Sequence, residues 1–254
     1  MGWSERQVAM LAEMGIRVWS PPQREEPPVV VETETIAVIE APAPVAPSRA
    51  RPGGVASMGW PALREAVAAC RACKLCEGRT NTVFGVGHER AQWMVVGEAP
   101  GEQEDLKGEP FVGKAGQLLD NMLRALGLTR GEADAQHQVF ICNTLKCRPP
   151  RNRNPEPEEL AQCEPFLIRQ IELVQPKIIL AMGRFAVQSL LKSGEPIGRL
   201  RGRVHQYQGV PLVVTYHPAY LLRNPQDKAR AWEDLCLAAE IVVKASSSAA
   251  ASSR

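Results

Sequence analysis

Cys70 and Cys73 form a C-x-x-C pair, and Cys147 and Cys163 follow about seventy residues later, on either side of a Pro/Arg/Asn-rich stretch and a helix start. Two close thiolates can grip one side of a metal centre, and two distant ones can close it from across a fold. A zinc or iron–sulfur site with four cysteine ligands is therefore the leading reading. The pair alone also fits a redox motif or half a zinc site, although a zinc ribbon repeats its C-x-x-C and this chain does not. Cys76 extends the pair to C-x-x-C-x-x-C, without the close Cys-Pro that completes a ferredoxin run. The competing reading is a set of reduced thiols packed as small hydrophobes.

A second group of residues falls where an α/β protein keeps its ligands. Apolar runs at Trp93–Val96, Val139–Asn143, Lys177–Ala181 and Leu212–Thr215 read as four buried strands. Helical patterns cover Ala62–Ala69, Ala115–Leu126, Pro157–Val174, the segment after Gly183 to Leu191, and Asp227–Val243. Strands alternating with helices predict an α/β fold, a three-layer α/β/α sandwich around a four-stranded parallel sheet. In such sheets ligands bind beyond the carboxyl ends of the strands.

The first run is followed by Gly97-Glu98-Ala99-Pro100-Gly101, then Glu104-Asp105 and Pro110-Phe111-Val112-Gly113. The second ends in Asn143, the third leads to Met182-Gly183, and the fourth to His217-Pro218. An amide, an imidazole, a phenyl ring and carboxylates on one sheet edge suit a small polar aromatic ring. Singly, each has a plainer reading: Phe111 as core, Asn143 as a turn or cap, Glu104 and Asp105 as an exposed acidic turn.

The chain has 254 residues, 44% hydrophobic and 23% charged, enough for one sizeable core in one or two domains. No run of about 18 apolar residues predicts a membrane span, and the N-terminus lacks a basic-then-apolar signal pattern. Seven cysteines, an odd number, fit a reducing cytoplasm better than a disulfide framework. Net charge is only +2, but KCRPPRNR at 146–153 and RLRGR at 199–203 are local basic loops, as a confined phosphate-binding face needs. Ordinary solvated arginines are the alternative.

Residues 1–20 hold a short amphipathic peptide, 21–57 a disordered Pro/Ala-rich linker, 58–244 the folded domain, and 245–254 a disordered low-complexity tail.

Four blocks, GEAPGEQED at 97–105, GEPFVGKAGQLLD at 108–120, NTLKCRPPRNRNP at 143–155 and HPAYLLRNP at 217–225, resemble the family 4 uracil-DNA glycosylases, in order over about residues 65–240. The resemblance implies hydrolysis of the N-glycosidic bond of deoxyuridine flipped out of DNA, and a 4Fe–4S cluster on Cys70, Cys73, Cys147 and Cys163. Cys76 then is a non-ligand, and Cys142 and Cys236 core thiols. Phe111 would stack on uracil, Asn143 pair with its O4/N3 edge and reject cytosine, and His217 bond O2. Backbone amides of the turn Gly97-Glu98-Ala99-Pro100-Gly101, Pro100 lacking an N–H of its own, would add to this and position the sugar. Family 1 enzymes place an aspartate where Ala99 stands, so the water-orienting group is expected to be Glu98, with Glu104 second. Leu221 or Leu222 would wedge into the gap left in the helix, with Arg223 on phosphate. The basic insertion of suicidal crosslinking relatives is missing, so turnover is expected.

Leu11–Ser20 resembles the N-terminal peptide of the psi subunit of the bacterial clamp loader, implying docking on a replication partner through Leu11, Met14, Ile16 and Trp19. A monomeric protein at the nucleoid, away from membranes, is expected. The competing function is a non-enzymatic iron–sulfur protein on the same fold, a DNA-damage sensor or an electron carrier. A glycosylase for a different base, such as hypoxanthine, fits the same residues. A radical enzyme is disfavoured because C-x-x-x-C-x-x-C is absent.

Overall fold

The computed structural model describes residues 53–252. The amphipathic peptide and nearly all of the Pro/Ala-rich linker fall outside that range.

A 3-10 turn, Val55–Ser57, leads to helix α1 (Trp60–Ala69), the short α2 (Leu75–Gly78), and strands β1 (Val86–Gly87) and β2 (Trp93–Gly97). Helices α3 (Glu102–Lys107) and α4 (Lys114–Ala125) precede β3 (Phe140–Asn143), and α5 (Pro157–Val174) precedes β4 (Ile178–Met182). Then come α6 (Arg184–Leu191), α7 (Ile197–Leu200), β5 (Val204–Tyr207), β6 (Val210–Thr215), α8 (Pro218–Arg223) and α9 (Lys228–Ser252).

The sheet runs β1-β3-β2-β4-β6-β5. Its middle, β3-β2-β4-β6, is the expected four-stranded parallel sheet. Two short antiparallel strands extend it, β1 beside β3 and β5 beside β6, so the sheet is mixed and six-stranded. Neither edge carries a strand signal: β1 has two residues, and β5 alternates exposed and covered positions with polar His205 and Gln206 among them.

All five residues of β2 and of β4, and all four of β3, are buried, as a parallel sheet covered on both faces requires. Alternation along the strands divides the core. Met94, Val96, Phe140 and Ile179 pack with Leu63, Val67 and Phe166 of α1 and α5. Trp93, Val95, Ile141 and Leu180 pack with Leu119, Leu123 and Leu235 of α4 and α9. Each fully buried Leu, Ile or Phe stabilises the sandwich by roughly 1.5–3 kcal/mol.

Both domain limits shift. Val55, inside the stretch read as linker, is buried in the core, so the fold begins before residue 58. The last helix continues to Ser252, past Ala245 where the sequence predicts a disordered tail. Alanines at 245 and 249–251 have the highest helix propensity and carry the helix on.

From β2 the chain crosses to β3 on one side, then returns through α5 to β4 on the other. The strand order therefore reverses at the carboxyl end of β2, where a crevice opens.

Candidate active site

Gly97, the last residue of β2, pairs in register with Asn143, the last of β3. The ladder continues beyond both strands. Thr144 N–H donates to Gly97 O at 3.0 Å, Leu145 N–H to Glu98 O at 3.1 Å, and Thr144 Oγ1 to the same oxygen at 2.6 Å. The loop after β2 is thus held against the end of β3. A Cβ on Gly97 would lie 2.4 Å from Asn143 Oδ1 and 2.5 Å from Phe111 Cζ. Only glycine lets the amide and the phenyl ring meet over this strand end.

Phe111 adopts φ 55°, a left-handed conformation costly for an aromatic residue, and is buried. Glu104 holds it there. Its Oε1 accepts Val112 N–H at 2.9 Å and Gly113 N–H at 3.3 Å, and its Oε2 accepts Gly101 N–H at 3.1 Å. From below, Gly116 leaves room for the Phe111 carbonyl, which a Cβ there would approach to 1.6 Å. Asp105, read as part of an exposed acidic turn, is buried and accepts Thr80 and Asn81 N–H. It ties α3 to the segment that follows the first cysteines.

The ring of His217 lies 5.3 Å from that of Phe111, centroid to centroid, at 25° between planes. His217 caps α8, its Nδ1 accepting Ala219 N–H at 3.1 Å. Burial, reinforced by the charge of Arg223 and opposed by Glu104, pushes its pKa down to about 4. At neutral pH the ring is uncharged, and with Nδ1 accepting, the proton sits on Nε2 as a donor.

These residues line one cleft of about 1080 Å³, walled by the segments that follow all four parallel strands. Glu98, Ala99, Pro100, Gly101, Glu104, Phe111, Asn143, His217 and Arg223 all border it. Among the described residues the Glu98 carboxylate makes no hydrogen bond, and burial raises its pKa to about 7. Leu221 is buried in the domain, whereas Leu222 is 43% exposed. Sequence reasoning missed Arg184, Phe185, Tyr216 and Tyr220 on the cleft wall. Their signal was position: two follow Gly183 at the end of β4, and Tyr216 precedes His217 after β6.

The two basic loops are largely spent within the fold. Lys146 is buried, Arg148 Nε bonds Asn152 Oδ1, and Arg153 pairs with Glu159 at 2.5 Å. Arg201 pairs with Asp234 and Glu233, and Arg203 with Glu195. Arg184 and Arg223, in neither loop, border the cleft with no ion pair among the described residues.

On the far side of Asn143, Cys70, Cys73, Cys76, Cys147 and Cys163 ring one small cavity. They come from the end of α1, the following loop, α2, the segment after β3, and α5. Burial raises the Cys73 thiol to about 11 and Cys163 to about 12. Arg79 donates to Cys147 Sγ at 3.1 Å. Among the described residues no group of three or more Cys, His, Asp or Glu is placed to hold a single metal ion. Thiols spread around a cavity, with cations beside them, fit a polynuclear centre with one thiolate at each corner. Cys142 is a core thiol as expected, while Cys236 is only half-buried.

Comparison with known families places this doubly covered α/β sheet, with its cleft at the switch point, in a DNA-glycosylase class. The family described as "Uracil DNA glycosylase superfamily" matches residues 84–236, and the chain belongs to it. Its relatives make the branch specific. It is 45% identical over 168 residues to the type-4 uracil-DNA glycosylase of Archaeoglobus fulgidus, covering 63% of this chain and 81% of that protein. The type-4 enzyme of Sulfurisphaera tokodaii is 44% identical over 190 residues, 71% of this chain and 84% of that one. That of Thermotoga maritima is 44% identical over 171 residues, 66% and 85%. No helix among the described residues is long and apolar enough to cross a membrane.

Proposed function

We propose that the chain is a uracil-DNA glycosylase, a hydrolase that flips deoxyuridine from DNA into this cleft and cleaves its N-glycosidic bond to begin base excision repair. The observation that carries the reading is the neutral His217, its Nδ1 occupied by Ala219, beside Phe111 and Asn143 at the strand ends.

Phe111 stacks on uracil, and Asn143 pairs with its O4/N3 edge. Cytosine presents the reversed donor pattern and would leave buried polar groups unpaired. As the bond from C1′ to N1 breaks, its electron pair moves into the uracil ring and charge grows on O2. Nε2–H of His217 donates to that oxygen, and a preorganised donor of this kind contributes on the order of 3 kcal/mol. Water adds to C1′. Glu98, ionised above about pH 7, orients it and takes its proton. Glu104, committed to three backbone N–H groups, positions the Phe111 loop instead. Leu222 fills the gap in the stack, and Arg223 and Arg184 meet phosphates.

Cys70, Cys73, Cys147 and Cys163 would hold a 4Fe–4S cluster, zinc being the alternative. When bound it supplies a crosslink among α1, the β3 loop and α5, and no step of the hydrolysis passes through it. Leu11–Ser20, outside the described residues, is proposed as a docking peptide for a replication partner, on its sequence alone. The protein acts as a monomer in the cytoplasm, at the nucleoid.

The test uses three oligonucleotides identical except for one U, C or T. Release from the uracil strand only, with Asn143→Ala reducing the rate, supports the reading. Equal release from the cytosine strand contradicts the role of Asn143, and no release from any strand contradicts the activity.

A further inference from the structure

Lys146 is a long cationic side chain in the protein interior, 1% exposed. Its Nζ donates to the Asn143 carbonyl at 2.7 Å and to Gln170 Oε1 at 2.7 Å. Gln170 is locked in turn, its Nε2 donating to Phe84 O at 2.9 Å. Both acceptors of the ammonium are neutral, and among the described residues no carboxylate pairs with it. The buried carboxylates of α3 and α5 are engaged elsewhere, Asp105 by Thr80 and Asn81, Glu159 by Arg153. An ammonium out of water without a counter-charge is a severe cost to a fold.

A counter-charge is available on one side only. Lys146 borders the cysteine cavity, which no Asp or Glu lines, and the Lys146 backbone N–H faces the Cys163 thiol. Arg79, on Cys147 Sγ, is a second cation at the same cavity. Thiolates around an iron–sulfur core carry net negative charge, so the cavity is built for an anionic occupant and Lys146 is its buried partner.

We propose that Lys146 couples the four-cysteine centre to base recognition: its charge balances the centre while its ammonium holds the backbone of Asn143 in register with Gly97. This rests on the reading of the cleft and the cysteines given above. Lys146 is a positioning residue, acting on substrate only through Asn143.

The experiment compares anaerobically purified wild type with Lys146→Met, Lys146→Arg and Arg79→Gln. It reads iron and sulfide content, the reduction potential of the centre by film voltammetry, iron loss to a chelator, and kcat and KM for uracil release. Lys146→Met is expected to lower the potential, since reduction would add negative charge with a cation gone. It is also expected to release iron at least threefold faster and to lower kcat about tenfold, with partial rescue of all three by Lys146→Arg. Arg79→Gln, which touches a cysteine but not Asn143, is expected to move the potential and the iron-loss rate. Where Lys146→Met does not accumulate as folded protein, Gln170→Met is read the same way for iron loss and kcat. Wild-type potential, iron retention and kcat in the variant would overturn the proposal. A wild type that releases no uracil contradicts the proposed function instead, and the potential still decides the charge role of Lys146.

Discussion

The backbone N–H of Ala219 is bonded to Nδ1 of His217 at 3.1 Å, and that bond decides which ring nitrogen donates into the cleft. A protonated ring could not accept it. Burial agrees, holding the pKa near 4 against an ordinary 6.5. The unfolded chain thus binds this proton below about 6.5 and the folded one only below about 4. Between those values unfolding takes up protons, so this group makes stability fall as pH drops from 6.5 to 4 and leaves it unchanged above. Measured from pH 7 to pH 4.5, the urea midpoint of the wild type should fall relative to that of His217→Gln as the pH drops below about 6.5.

Glu98 titrates in the opposite region. Burial raises its pKa to about 7, and the step assigned to it needs the carboxylate. The single-turnover rate should therefore fall tenfold per pH unit below about 7, a limb that His217 cannot produce. In Glu98→Gln the limb should vanish, with a rate lowered roughly 10²–10⁴-fold at pH 8. A limb unchanged in Glu98→Gln assigns the water to another group.

Gly116→Ala puts a methyl group where the Phe111 carbonyl lies, 1.6 Å from an ideal Cβ. Backbone cannot swing aside as a side chain can. The expected result is a loss of about 1–3 kcal/mol in stability and a fall in kcat of at least about tenfold, because Phe111 moves off the Gly97 strand end. Thermal melts and single-turnover rates check both. A variant that is destabilised but keeps full kcat would detach Phe111 from the chemistry.

Leu222 is exposed on α8 while its neighbour Leu221 is buried. A wedge matters only where a stack must be opened. Leu222→Ala should slow excision from a duplex roughly tenfold and from a single strand less than about twofold, as fits an unstacking cost of a few kcal/mol. Equal effects on both substrates would make Leu222 a packing residue.

The central sheet was legible because parallel strands are apolar at nearly every position, and Trp93–Val96 and the IILA of Lys177–Ala181 stand out from their surroundings. The edges were not, because Val204–Tyr207 is half polar and Val86–Gly87 too short for a period. Reading past each strand end picked out Phe111, Asn143 and His217, and these three line one cleft. The partners of the charged residues could not be found in this way. Arg201 meets Asp234 across 33 residues of sequence, and Lys146 meets Gln170 across 24. In the sequence both look like members of exposed basic loops. The partners of Glu104 were equally out of sight: a carboxylate near a strand end suggests catalysis, and the three backbone N–H groups it accepts come from residues 101, 112 and 113.

The most direct measurement is free uracil released by anaerobically purified protein from DNA holding one deoxyuridine, followed in a single turnover for wild type and His217→Ala. Stoichiometric uracil from the wild type, with a rate lower by about 10²–10³-fold in the variant, is the predicted result. Uracil release at the same rate from both would contradict the account of the cleft, and no release from wild-type protein carrying its full complement of iron would contradict the activity itself.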